Sequence, residues 1–205
     1  VCCSLIGGRG DGVAEYPMVV AMIAAIATGV VCGMWNGFLV AKIKIQPMVV
    51  TLILMVAGRG IAQLLTEGQI ITVYYAPFSY IGGNIPGNII PSPIIIAILM
   101  IALVVFILKK TSLGLFIQSV GINPTASRYA GINVALIIFL VYAFSGFCAG
   151  VSGLIESSLI RAADANNAGL NMEMDAILAV ALGGTLLSGG KFYIGGSIIG
   201  AITIQ

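Results

Sequence analysis

Histidine is absent from this 205-residue chain, which removes the commonest general base and metal ligand. Charge is scarce as well. Asp, Glu, Lys and Arg make up 8% of the residues, against about a quarter in an ordinary soluble chain. The four cysteines are Cys2, Cys3, Cys32 and Cys148. The first two are adjacent and the others sit inside apolar runs, so neither a disulfide framework nor a zinc spacing is present. A formal net charge of +2 is too small to argue for a nucleic-acid partner. No phosphate-binding loop is encoded. Ser188-Gly189-Gly190-Lys191 lacks both the spaced glycine and the Ser or Thr that must follow the lysine. With no metal cluster and no serine elbow, the chain offers no residues for an enzyme and implies no cofactor.

What is present is apolar: 60% hydrophobic residues and a mean hydropathy of +1.13. The bilayer is therefore the expected solvent, and spans need about 20 apolar residues each. Tyr16–Ala41 forms one, ending at Lys42 and Lys44. Pro47 opens a second, Met48 to Leu65, interrupted by Gly58-Arg59-Gly60. Pro93–Leu108 is a shorter one closed by Lys109 and Lys110, and Val134–Ile155 is full length. Met172–Leu187 and Phe192–Gln205 read as a last pair. They turn at Ser188-Gly189-Gly190-Lys191, and the closely spaced pairs Gly183-Gly184 and Gly189-Gly190 invite a broken or re-entrant backbone, which membranes tolerate only inside protein or beside water. Residues 66–92, with Gly82-Gly83, Pro86, Gly87 and Pro91, read as an irregular extracytoplasmic loop. Residues 1–15 read as the outer end of a span followed by a short loop. The chain opens without methionine and stops at Gln205 inside an apolar run. The expectation is an all-α polytopic transmembrane bundle forming one permease domain over 1–205, with both ends cut.

Threading the spans alternately puts Lys42, Lys44, Lys109, Lys110, Arg128 and Lys191 on one side, six of the nine basic residues. The other side holds Asp11, Glu15, Glu67, Glu156 and Asp164 with only Arg9 and Arg161. The positive-inside rule makes the lysine side cytoplasmic. Helices in lipid approach closely through small residues. Gly29, Gly33 and Gly37 repeat every fourth residue, as do Gly146 with Gly150 and Gly196 with Gly200. That spacing fits plain interhelical packing and leaves a gating role open.

Polar groups inside apolar runs are costly. Arg59 lies about 18 Å along a helix from Pro47, past the midplane, where a charge costs about 2.5–3.5 kcal/mol at the membrane centre. It either snorkels outward or lines a pathway. Glu173 and Asp175 suit the first turn of a helix by its dipole. Alternatively they border a vestibule with Asp164, Asn166 and Asn167, whose side chains suit sugar hydroxyls. Asn36 and Thr185 complete the candidate translocation set.

The segment Gly121–Asn133, polar and short-helix-like between two long apolar spans, is the most telling stretch. It belongs to a cytoplasmic loop over 109–133. Together with Trp35-Asn36-Gly37, Ile45-Gln46-Pro47, Thr51 to Gln63, Ala163 to Gly169 and Asp175 to Val180, it resembles the membrane subunit of bacterial sugar ABC importers. The likeness is to the ribose, arabinose and galactofuranose group, and the galactofuranose type resembles it most. The resemblance implies a permease subunit in the inner membrane, with partner ABC ATPase subunits, a second permease identical or paralogous, and a periplasmic or lipid-anchored sugar-binding protein. It further implies a polar segment upstream and more spans after Gln205. Gly121, Asn123, Arg128, Ala130 and Gly131 would then meet the ATPase, although a topology signal explains Arg128 equally well. Alternatives are a permease for branched-chain amino acids or another small solute, an ATP-independent secondary transporter or channel, and a non-transport scaffold.

Overall fold

A computed structural model describes residues 1–6, 17–73, 78, 81–83, 91–165, 167–185, 189–190 and 192–204. Among them nine helices and one two-stranded ladder follow in the order α1 (Cys2–Ile6), α2 (Met18–Phe38), α3 (Pro47–Thr66), β1 (Ile71–Thr72), α4 (Ser92–Lys110), α5 (Ser112–Ile122), α6 (Pro124–Tyr129), α7 (Val134–Ile160), β2 (Ala162–Ala163), α8 (Met172–Leu182) and α9 (Ile194–Ile204). Four helical stretches are long and apolar enough to cross a bilayer: Met18–Ile43, Pro47–Thr66, Ser92–Lys110 and Val134–Ile160. The helices form two compact units. One holds Val1–Met100 with Phe139–Ala168, the other Ile101–Ile138 with Gly169–Gln205.

In the first unit, α2 continues into a π-helical turn, Leu39–Ile43, and stops where Lys44 adopts a left-handed backbone. Pro47 opens α3 at its first turn, where its missing N–H costs nothing. Gly58-Arg59-Gly60 interrupts the apolar run but not the helix, and α3 continues through it unbroken. Interior glycine costs a helix only about 1 kcal/mol relative to alanine, less than leaving backbone groups unpaired in hydrocarbon. Most α3 side chains point outward, Leu64 being 81% exposed, as suits a helix solvated by lipid, whereas Val50 is buried.

α2 and α7 pack antiparallel, with Gly29 against Gly146 and Gly150, Gly33 against Tyr142 and Gly146, and Gly37 against Phe139 and Tyr142. The end of the pair that carries Lys42 is thus the Phe139 end of α7. At the opposite end Cys2, Cys3, Ala21, Val73, Phe78 and Leu154 bury one another. β1 pairs antiparallel with β2 there, Ile71 facing Ala163 and Thr72 facing Ala162. The 66–92 loop is irregular by its sequence pattern, and several of its described residues are held by hydrogen bonds. The buried Ser158 hydroxyl accepts the Gly82 N–H at 2.8 Å and donates to the Phe78 carbonyl, while Ser92 Oγ bonds the Ile81 carbonyl at 2.9 Å.

In the second unit the expected last pair of spans is two 11-residue helices. α8 ends at Leu182, not Leu187, because Gly183 closes the last turn and Gly184 takes a φ of +74°. The helices pack closely, with Gly196 and Ser197 against Gly183, and Gly200 against Ala179. The 109–133 segment is also more regular than a loop. α5 occupies 112–122, a helix that the residue pattern alone does not mark. Gly114 lets it turn sharply away from α4, since a Cβ there would stand 2.7 Å from the Leu108 carbonyl carbon. The expected positions of Arg9, Asp11, Glu15 and Lys191 lie outside the described residues, as do Pro86 and Gly87.

Candidate functional site

The segment around α6 is built from local turn chemistry. Asn123 is extended, and its Oδ1 accepts the N–H groups of Thr125 and Ala126, both at 3.0 Å. Pro124 follows as the first helical residue. This cap satisfies two of the donors that a helix start leaves orphaned. At the other end Gly131 has φ +84° and donates to the Arg128 carbonyl at 3.1 Å, while Ile132 donates to the Ser127 carbonyl at 3.1 Å. That pair of bonds is a Schellman closure, for which glycine is the favoured residue. Asn133 Oδ1 then accepts the Leu136 N–H at 3.2 Å and starts α7.

The side chains divide into two groups. Asn123 and Gly131 are committed to shaping the backbone. Ser127 is buried, whereas Arg128 and Ala130 are exposed and Tyr129 is 89% exposed. Tyr129 is not among the sequence candidates. The only signal for it is an aromatic residue placed on a short polar helix. Gly121 has a separate contact: a Cβ there would lie 2.9 Å from the Gly190 nitrogen.

The candidate translocation residues fall in both units, Asn36, Arg59, Asp164 and Asn167 in the first and Glu173, Asp175 and Thr185 in the second. Asn36 lies on the buried face of α2 with Gly33 and Gly37. It is 7% exposed, and its Oδ1 has no hydrogen-bond partner among the described residues. Arg59 is half-buried on α3. Asp164 follows β2, beyond the far end of α7 from the Asn36 region, and its Oδ2 accepts from Asn167 Nδ2 at 2.8 Å. Asn166 lies outside the described residues. Glu173 and Asp175 are exposed in the first turn of α8, the favourable end for acids. The Thr185 hydroxyl accepts the Tyr193 N–H at 3.3 Å and stands 3.4 Å from Ser197 Oγ, so it closes the neck between α8 and α9. Among the described residues no three His, Cys, Asp or Glu side chains converge as metal ligands would.

Comparison with known proteins decides the family. The model described as the permease component of the branched-chain amino acid transport system matches residues 7–205. The chain belongs to this family. It is 49% identical over 195 residues to the galactofuranose transporter permease protein YtfT of Escherichia coli K12, covering 94% of this chain and 56% of that protein. It is 42% identical to the fructose import permease protein FruF of Bifidobacterium longum, covering 90% of this chain and 52% of that one. The ribose import permease protein RbsC of Escherichia coli K12 shares 36% over 93% of this chain and 60% of its own length. The chain thus spans little more than half the length of these relatives. No solved structure matches it. Family membership and four apolar spans make it a multi-pass inner-membrane protein.

Proposed function

We propose that this chain forms the membrane-spanning part of an ATP-driven ABC importer that carries a monosaccharide, of pentose or galactofuranose-like class. The observation that carries the proposal is the run of sugar-permease relatives, at 49%, 42% and 36% identity across nine-tenths or more of the chain. In this reading the Lys42 end of the α2–α7 pair, Lys109, Lys110 and the exposed face of α6 are cytoplasmic. Arg128 and Tyr129 dock an ABC ATPase there, because an aromatic and an arginine side by side are the residue types that dominate binding energy at interfaces. A second permease chain and a sugar-binding protein complete the assembly. ATP-driven closure of the ATPases pushes α6, and the bundle alternates its access. Little sugar affinity is needed within the spans when the binding protein supplies selectivity.

Uptake of labelled galactose, ribose, fructose and leucine into vesicles carrying the chain in its native assembly tests the cargo. Sugar uptake that requires ATP is the expected result. Leucine uptake alone would overturn the sugar assignment and favour the solute named in the family description. For the docking face, Arg128→Glu combined with Tyr129→Ala should abolish ATPase co-purification and leave membrane insertion intact. Undiminished co-purification would remove α6 from the interface.

A further inference from the structure

The α5–α6 segment and the α8–α9 pair lie in the same compact unit, and Gly121 near the end of α5 meets Gly189 and Gly190, which lie between α8 and α9, backbone to backbone. A Cβ on Gly121 would stand 2.9 Å from the Gly190 nitrogen, and one on Gly189 would stand 3.0 Å from the Gly121 carbonyl oxygen. The Ile122 side chain borders this contact, its Cγ1 3.4 Å from where a Cβ on Gly190 would stand. Gly189 and Gly190 hold φ values of +92° and +105°, a conformation that side-chain-bearing residues rarely adopt.

On either side of this contact the parts are stiff. Asn123, two residues after Gly121, donates its N–H to the Ser119 carbonyl at 3.1 Å and caps α6 with its side chain. It therefore ends α5 and starts α6 with no intervening linker. Beyond the contact, Thr185 joins Tyr193 and Ser197 across the neck. A Cβ on Gly183 would lie 2.5 Å from the Gly196 carbonyl carbon, and one on Gly200 would lie 3.2 Å from the Gly183 nitrogen. Two helices in such contact cannot slide without separating, so α8 and α9 move as one body.

We propose that α8 and α9 are the helices that the coupling segment moves, and that the displacement passes through the Gly121–Gly190 backbone contact. This rests on the reading of α6 as the ATPase-docking helix. In this proposal Gly121, packed against the Gly190 backbone, is a positioning residue rather than the ATPase contact that the family resemblance implies, and it touches neither nucleotide nor cargo. A close-packed contact passes motion because packed interiors hold discrete arrangements rather than deforming continuously. A valine at Gly121 would force the two backbones apart and break the transmission, leaving the exposed face of α6 unaltered.

The test uses the chain in its native assembly. With Gly121→Val, the ATPase should still co-purify and hydrolyse ATP, while cargo moved per ATP falls at least tenfold. Gly121→Ala should fall between. Because Gly121→Val could fail to fold, a second measurement needs no substitution at the contact. Spin labels at Leu159→Cys and Ile202→Cys, both exposed, should report a distance that shifts when ATP is added. A distance that ATP leaves unchanged overturns the proposal, as does normal cargo per ATP in Gly121→Val. If the ATPase fails to co-purify even with the unsubstituted chain, the docking reading itself falls.

Discussion

Gly33 on α2 and Gly146 on α7 meet backbone to backbone: a Cβ on Gly33 would lie 3.0 Å from the Gly146 Cα, and one on Gly146 would lie 2.9 Å from the Gly33 Cα. In hydrocarbon, where no hydrophobic effect presses helices together, this contact area is the source of association. Gly33→Val should therefore destabilise the bundle by about 1–3 kcal/mol, the usual range for overpacking. On α3, by contrast, a Cβ on Gly58 or Gly60 would meet nothing within 4 Å. Gly58→Ala should be neutral or stabilising by up to about 1 kcal/mol, through helix propensity alone. Detergent unfolding curves of the two variants check this, and equal losses would refute the distinction.

Ser158 ties the 66–92 loop to α7. It is 1% exposed, and its removal would strand the Gly82 N–H and the Phe78 carbonyl. Ser158→Ala should cost about 1–3 kcal/mol, the penalty of an unsatisfied buried group. Limited proteolysis between residues 66 and 92 should accelerate. Unchanged cleavage would show the anchor to be dispensable.

Asn123→Ala should loosen α6 by about 1 kcal/mol, the worth of a helix cap. Amide exchange at Thr125 and Ala126, the two capped donors, should rise about fivefold, the factor equivalent to that energy. Asn123→Asp should restore slow exchange, since its carboxylate accepts the same bonds. Fast exchange in both variants would argue against the cap.

The charge asymmetry predicts sidedness. In a background lacking the four native cysteines, an impermeant maleimide should label Ile70→Cys in intact cells. It should label Ile45→Cys, beside Lys44, only after permeabilisation. The reverse pattern would invert the orientation and put α6 outside.

Four spans were legible in the sequence because a membrane helix is written in apolar length and closed by charge: Lys42 with Lys44 ends one, and Lys109 with Lys110 ends another. The short α6 helix was legible in outline, since Asn123-Pro124 and Gly131 are local signals that act within a few residues. The glycine repeats of α2 and α7 announced a packing face but not its partner. Tyr129 carried no pattern, and the exposure that distinguishes it is a property of the folded chain.

Local chemistry thus determined, by sequence alone, that this chain lives in a bilayer, where its main helices begin and end, and where a hydrophilic segment interrupts them. Only the tertiary structure decided that Gly33 faces Gly146, that Ser158 holds Gly82, that α8 stops at Leu182, and that Gly121 touches Gly190. The first group depends on the hydrophobicity and turn preferences of neighbouring residues, which are readable in order along the chain. The second depends on which distant backbones come within van der Waals reach. Glycine, having no side chain, permits such approaches without specifying the partner.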